Sequence, residues 1–283
     1  MSLLFSGFFL LNCTQRQDEE SARSGRMTLA VDQQLADIAR TQSGMFSSYY
    51  PEAQITLMPV KSNNTLKLLL DRSVRAALID GETVAAEDSL FAKLSHPLRR
   101  EPIALDALVC IVNSKNPLKT ISVEELGALF SAPGKNGVTP LIEDDFRLRS
   151  LLAAKTGIKG SDLRAWRCGS NSELIMRVSA DNNAVGLLFR SSLDKALHSE
   201  HEPQNTRILL LSGKSGNTPA CLPTQQNMFE GNYPLVTTLY YVYYPGDALA
   251  AGFGAWLGSS GQKVFERSSF APFRLVERTI ILK

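Results

Sequence analysis

The 283-residue sequence predicts an α/β protein of two lobes, joined by two crossing strands, with a ligand cleft between the lobes. Three observations predict it. The stretch from 101 to 113 is nearly all apolar between positions 103 and 112, with β-branched residues towards its end, as in a strand covered on both faces. A second stretch of the same kind, 233 to 244, returns far downstream. On either side of the first, short apolar runs alternate with helical spacings, which means βαβ units and largely parallel sheets. The expected division is residues 1–26 as leader and tether, 27–105 with 238–283 as one lobe, and 106–237 as the other.

The elements follow in chain order. Residues 27–31 read as a short strand. Asp32 stands where a helix N-cap belongs, ahead of the helical spacing of Leu35, Ile38, Ala39, Met45 and Phe46. Pro51 ends that helix, and 53–58 alternates as a second strand. Residues 61–65 read as a turn with capping side chains, 66–71 as a short helix and 75–79 as a third strand. Asp80-Gly81 turns that strand, and 82–94 is helical. Beyond the crossing strand, Ser122 and Glu125 form a capping box for a helix to Phe130. Residues 138–142 read as a strand, and 144–155 as a helix carrying Arg147 and Arg149. Residues 165–168 read as a strand, with 169–172 capping a helix to Val178. Strands follow at 183–189 and 207–211, with a loop to Cys221. After the return strand, 248–258 and 261–267 are helical, and 270–273 ends the pattern.

Net charge is +2 with both signs scattered, so the basic footprint of a nucleic-acid binder is absent. No repeat recurs at a solenoid period. Gly213-Lys214-Ser215 matches the end of a P-loop, but Ile208 stands where its first glycine belongs. Neither a G-x-S-x-G elbow nor an H-E-x-x-H pair is present, so catalysis is not expected. Cys110, Cys168 and Cys221 match no zinc or Cys-x-x-Cys spacing, and Cys110 reads as a buried, reduced thiol. His198 and His201 fall in a polar surface turn ahead of Pro203.

Residues 3–11 are apolar and run into Asn12-Cys13. The run is too short to span a bilayer as a helix and reads as the apolar region of a secretory signal. Leu10-Leu11-Asn12-Cys13 resembles the lipobox of bacterial lipoproteins, in which the cysteine bears the lipid. Two features depart from that pattern: no Lys or Arg precedes the run, and Asn12 replaces the usual small residue. A frayed apolar N-terminus is the plain alternative. The polar run 14–26 suits a tether. On the lipoprotein reading, Cys13 anchors the protein to a membrane, in the periplasm or at the cell surface.

Several stretches carry a wider resemblance. The most specific is 104–117, with Ile121-Ser122-Val123-Glu124-Glu125-Leu126 and Leu129-Phe130 after it. To it are added 69–77, Asn183-Ala184-Val185-Gly186, Tyr233-Pro234-Leu235, Gly261-Gln262-Lys263-Val264 and Phe270-Ala271-Pro272. In this order and spacing the chain, over roughly residues 27–275, resembles the phosphate-type substrate-binding proteins of ABC importers. It looks most like their lipid-anchored branch, common in Bacteroidetes-like bacteria. The resemblance implies a two-lobed periplasmic-binding-protein (Venus flytrap) fold, each lobe a mostly parallel sheet flanked by helices. It further implies a monomer without cofactor or catalysis, which captures a small oxyanion, phosphate first, and hands it to an ABC permease. Helix N-termini, hydroxyls, an arginine and sometimes a carboxylate are the ligand groups it implies, and unpaired N–H groups at a positive dipole end suit the helix termini to that task.

Carried onto this chain, the resemblance points to Asp32 and Gln33 in the first βα turn and to Ser62, Asn63, Asn64 and Thr65 in the second. The third turn, often Ser-Arg in the family, falls on Asp80-Gly81-Glu82. The hydroxyl-rich run before the family arginine falls on Asp144-Asp145-Phe146, which puts Arg149 at the arginine position, with Arg147 next in line. Ser170 and Asn171 match a further turn. Each has a plainer reading: Asp32 as a cap, 62–65 as an ordinary turn, Asp80 and Glu82 as surface or capping acids, Arg149 as a solvated charge. Two carboxylates beside an anion repel it. The substituted turns therefore leave a second possibility, a lipid-anchored binding or interaction protein of the same fold that has lost the phosphate site.

Overall fold

The structure, a computed structural model, describes residues 20–132, 137–197, 205–214 and 218–275. Cys13, His198 and His201 lie outside them. The strands are β1 (Gly25–Asp32), β2 (Ala53–Val60), β3 (Ala76–Asp80), β4 (Arg99–Asn113), β5 (Thr120–Ser122), β6 (Thr139–Glu143), β7 (Trp166–Cys168), β8 (Ala184–Phe189), β9 (Thr206–Ile208), β10 (Leu210–Ser212), β11 (Val236–Tyr243) and β12 (Ala271–Pro272). The helices are α1 (Ala36–Tyr49), α2 (Ser62–Leu70), α3 (Ala85–Phe91), α4 (Val123–Ser131), α5 (Phe146–Thr156), α6 (Asn171–Ala180), α7 (Arg190–Leu197), α8 (Gln225–Phe229), α9 (Ala248–Leu257) and α10 (Gln262–Glu266).

The long strand β4 is what makes two lobes out of one sheet. The strand order is β2-β1-β3-β11-β4-β8-β6-β7. From Arg99 to Ala107, β4 pairs antiparallel with β11; from Leu108 to Val112 it pairs antiparallel with β8. The chain thus passes from one lobe to the other inside a single strand, between Ala107 and Leu108. In the first lobe β1, β2 and β3 are parallel, and in the second β6, β7 and β8 are. This is the mixed α/β two-domain architecture expected, with helices flanking a curled sheet.

Each lobe has its own core. In the first, Leu29, Val31, Phe46, Tyr241 and Phe253 are buried together. Phe46 meets Phe253 edge-on at 5.3 Å between ring centroids, a favoured aromatic geometry. In the second, Leu108, Cys110, Leu126, Phe130, Leu148 and Phe189 pack between the sheet and α4 and α5. Gly186 lets α6 lie close on β8: a Cβ there would come within 2.6 Å of Leu174 and 2.8 Å of Val178.

Local signals set most helix starts. Ser122 Oγ accepts from Glu125 N–H at 3.2 Å, and Glu125 Oε2 accepts from Ser122 N–H at 2.8 Å. The structure departs from the sequence reading in several places, the clearest of which are these. The turn expected at 61–65 is already helix, since α2 starts at Ser62. The helix expected over 82–94 is only α3. The strand expected over 207–211 is split, with β9 on β4 and β10 on β5. Helices α7 and α8 stand where no helix is expected, although α7 is amphipathic. Among the described residues no helix is long and apolar enough to cross a membrane.

Candidate functional site

The C-terminal ends of β1 and β3 and the N-terminus of α2, all in the first lobe, meet the N-terminus of α5 across the lobe boundary. Asp32 ends β1, and a short 3-10 turn, Gln33–Leu35, separates it from α1; its side chain makes no capping bond. Instead, Asp32 Oδ1 accepts from Thr65 Oγ1 at 2.5 Å and Oδ2 accepts from the Asp80 N–H at 3.0 Å. The expected cap is therefore a buried tie between three βα turns.

An arginine from the second lobe enters this cluster, and it is Arg147. Its side chain is fully buried, with Nε 3.3 Å from Asp32 Oδ2. Its two terminal nitrogens donate to Glu87 of α3, Nη1 to Oε2 at 3.0 Å and Nη2 to Oε1 at 2.8 Å. Burial works against its charge, but Asp32 and Glu87 outweigh it and hold its pKa above the ordinary value. Arg149, placed first by the family pattern, is half-buried two residues further along α5. Two residues turn a helix by about 200°, so the two arginines leave it on opposite sides.

Asp145 is the other bridge. As N-cap of α5, its Oδ1 accepts from Leu148 N–H at 2.8 Å. Its Oδ2 accepts from the hydroxyl of Ser62, the first residue of α2, at 2.6 Å. The Arg147 N–H donates to the same hydroxyl oxygen at 3.3 Å. One carboxylate is thus held at the meeting point of two helix N-termini, one from each lobe. Gly81 closes the approach: its φ is +92° and Leu151 of α5 occupies the space a side chain would need.

Asp80 and Asp106 complete the buried acids. Asp80, expected at the surface, is fully buried at the end of β3, where Thr237 Oγ1 donates to Oδ1 at 3.2 Å. Burial comes first, and then the charges of Asp106 and Asp32, in lifting its pKa well above the carboxylate range. Asp106, in the crossing strand, is pushed up to about 6 by burial, against hydrogen bonds from Ser191 and the Ala107 N–H. Asp32 is likewise pushed up to about 6 by burial, with Arg147 opposing.

Beside this cluster an open pocket of about 400 Å³, lined mostly by polar residues, lies between the lobes. Gln33, Gln34 and Lys61 form its wall in the first lobe; Glu143, Asp144, Asp145, Ser170, Asn171 and Ser192 face them from the second. Burial and then Asp145 push Glu143 up to about 7, against a hydrogen bond from Asn171. Ser170 caps α6, accepting from Glu173 N–H at 3.2 Å.

Among the residues expected from sequence, Asp32, Ser62, Thr65 and Asp80 therefore come together at the boundary, and Gln33, Ser170 and Asn171 line the adjoining pocket. Asn63 and Asn64 are exposed on the first turn of α2. Asp145 falls in the run that the family pattern marks, whereas Glu87 and Glu143 lie outside every expected turn. A signal for Arg147 was present: it shares a helix face with Leu148, Leu151 and Leu152, all buried.

The architecture has known counterparts. A protein assigned to phosphate ABC transport as substrate-binding component in Clostridium perfringens, with phosphate bound, superposes with a TM-score of 0.70 at 13% identity, over 88% of this chain and 100% of its own. An ABC-type phosphate transport receptor from Vibrio cholerae gives 0.69 at 18% identity, over 87% and 99%. PstS from Borrelia burgdorferi gives 0.60 at 16%, over 89% and 100%. At these identities the likeness is one of fold. No curated protein matches the chain. The PBP superfamily domain matches residues 16–260, most of the chain, and the chain belongs to that superfamily.

Proposed function

We propose that the protein is a non-catalytic, extracytoplasmic substrate-binding protein that captures a small oxyanion between its lobes and presents it to an ABC permease. Phosphate is the reference ligand, and Cys13 bears the lipid that holds the protein at the membrane. The observation that carries this reading is the Asp145 carboxylate, gripped by the Ser62 hydroxyl from one lobe and the Leu148 N–H from the other. A cradle built from two opposed helix N-termini stabilises an anion through unpaired N–H groups and the dipole. Here the chain's own carboxylate sits in it. Two of the solved relatives above, the Clostridium perfringens protein with phosphate bound and the phosphate transport receptor from Vibrio cholerae, support phosphate as the starting point.

A second reading has its own support. The Arg147 guanidinium is already matched by two carboxylates, Asp32 and Glu87. A chain that keeps this arrangement when a ligand is offered is a binding or interaction protein whose phosphate site is closed.

Titration calorimetry with orthophosphate and sulfate, followed by small-angle scattering, separates the two. Capture between lobes gives measurable phosphate binding, weaker sulfate binding and compaction on adding phosphate, since a ligand touching both lobes favours the closed state. Hydrogen phosphate donates a hydrogen bond to a carboxylate on the pocket wall, such as Asp145, where sulfate offers only lone pairs. Absence of heat with either anion would favour the second reading.

A further inference from the structure

The pocket beside the Arg147 cluster has a composition that a simple oxyanion does not satisfy. Four helices start at it: Lys61 precedes α2, Asp145 caps α5, Ser170 caps α6, and Ser192 lies in the first turn of α7. Their N-terminal dipoles favour negative charge there. Yet Glu143, Asp144 and Asp145 also line it, and Lys195, the second lysine on its wall, is held 2.5 Å from Asp37 across the lobe seam. The pocket therefore presents strong donors and strong acceptors side by side.

Three buried side-chain atoms sharpen the point. Ser192 is only 5% exposed, and its Oγ has no hydrogen-bond partner. Gln34 Nε2 and Asn171 Oδ1 are also buried without a partner. A buried polar group left unpaired is costly, so an arrangement of this kind is one a ligand completes. Gln34 Nε2 and Lys61 need acceptors, Asn171 Oδ1 and Glu143 need donors, and Ser192 serves either. Orthophosphate meets the first need and, with one proton to give, hardly the second. At about 400 Å³ the pocket falls in the size range that encloses whole small molecules.

We infer that the pocket takes a small zwitterion: an oxyanion with an ammonium group a few bonds away. The oxyanion lies against Lys61, Gln34 Nε2 and Ser192 Oγ, and the ammonium lies against Glu143 and Asn171 Oδ1. The inference rests on the oxyanion reading above and narrows it to a substrate class. The position of Glu143 supports it: burial and then Asp145 push its carboxyl up to about 7, and a cation placed against it favours the ionised form. The oxyanion is phosphonate or carboxylate, and the shared chemistry is the pairing of that group with an amine.

Calorimetry on the full chain tests this with 2-aminoethylphosphonate, ethylphosphonate, β-alanine and orthophosphate. The aminophosphonate or β-alanine should bind about tenfold tighter than ethylphosphonate and orthophosphate, a gap of about 1.4 kcal/mol. Whichever of the two leads identifies the oxyanion. Glu143→Gln, which keeps shape and removes charge, should erase the advantage and leave ethylphosphonate within about twofold. Ser192→Ala should weaken the zwitterion and ethylphosphonate alike. Orthophosphate binding as tightly as both amines would overturn the zwitterion and leave the oxyanion reading standing. Equal loss of all ligands in Glu143→Gln would do the same. No binding of any of the four would overturn both.

Discussion

Arg147 Nε lies 3.3 Å from Asp32 Oδ2, with both side chains fully buried and on opposite sides of the lobe boundary. With Glu87 closing on the other edge of the guanidinium, this is an ion pair whose members have no water to fall back on. Removing one partner of such a pair costs about 3–5 kcal/mol, because the remaining charge is stranded. Arg147→Ala should therefore lower the melting temperature by roughly 6–20 °C, taking about 2–4 °C per kcal/mol for a chain of this size. Arg149→Ala should cost no more than about 0.5 kcal/mol. Thermal unfolding of the two variants side by side checks this, and a larger loss from Arg149→Ala would show that the boundary rests on the other arginine.

Asp145 both caps α5 and places a negative charge in the interlobe cradle. Asn caps a helix about as well as Asp, so Asp145→Asn should keep the helix start and remove the charge. Phosphate should then bind about tenfold tighter, equivalent to about 1.4 kcal/mol. Unchanged affinity with an unchanged melting temperature would mean that Asp145 does not stand where the ligand goes.

The buried acids give stability a definite pH dependence. Asp32 and Asp106 are each lifted to about 6 and Glu143 to about 7, burial being the first cause in all three. The same groups titrate near 4 in the unfolded chain. The folded state therefore binds more protons between about pH 4 and about pH 7, and stability declines as pH rises through that window. Their contribution is complete below about pH 4 and lost above about pH 7. The melting temperature should fall by several degrees between about pH 5 and about pH 8, and Glu143→Gln should flatten the upper part of the fall. A rising or level curve would contradict it.

The lipid anchor is tested by fractionation. Protein carrying Cys13 should sediment with membranes and label with a fatty-acid analogue, whereas Cys13→Ala should appear in the soluble fraction. Salt screens surface charge, so a high-salt wash removes protein held by charge alone and should be included. Equal membrane association of parent and variant would defeat the anchor.

The division of labour between sequence and tertiary structure can be read from a few residues. Alternating and helical spacings depend on which side of an element meets the core, and that pattern is written locally. The apolar run of β4, the capping box at Ser122 and Glu125, and the cap at Ser170 could all be read from the chain for this reason. So could the two lobes, because a strand covered on both faces needs partners on both sides. What the sequence could not decide is what the polar residues at the boundary face. Asp80 looks like a turn acid until β11 and β4 cover it, and Asp32 looks like a helix cap until Thr65 and the Asp80 N–H reach it from other turns. Between Arg147 and Arg149 the family spacing favoured one and the phase of α5 against the first lobe selected the other. That phase is a property of two elements packed together, and only the tertiary structure holds it.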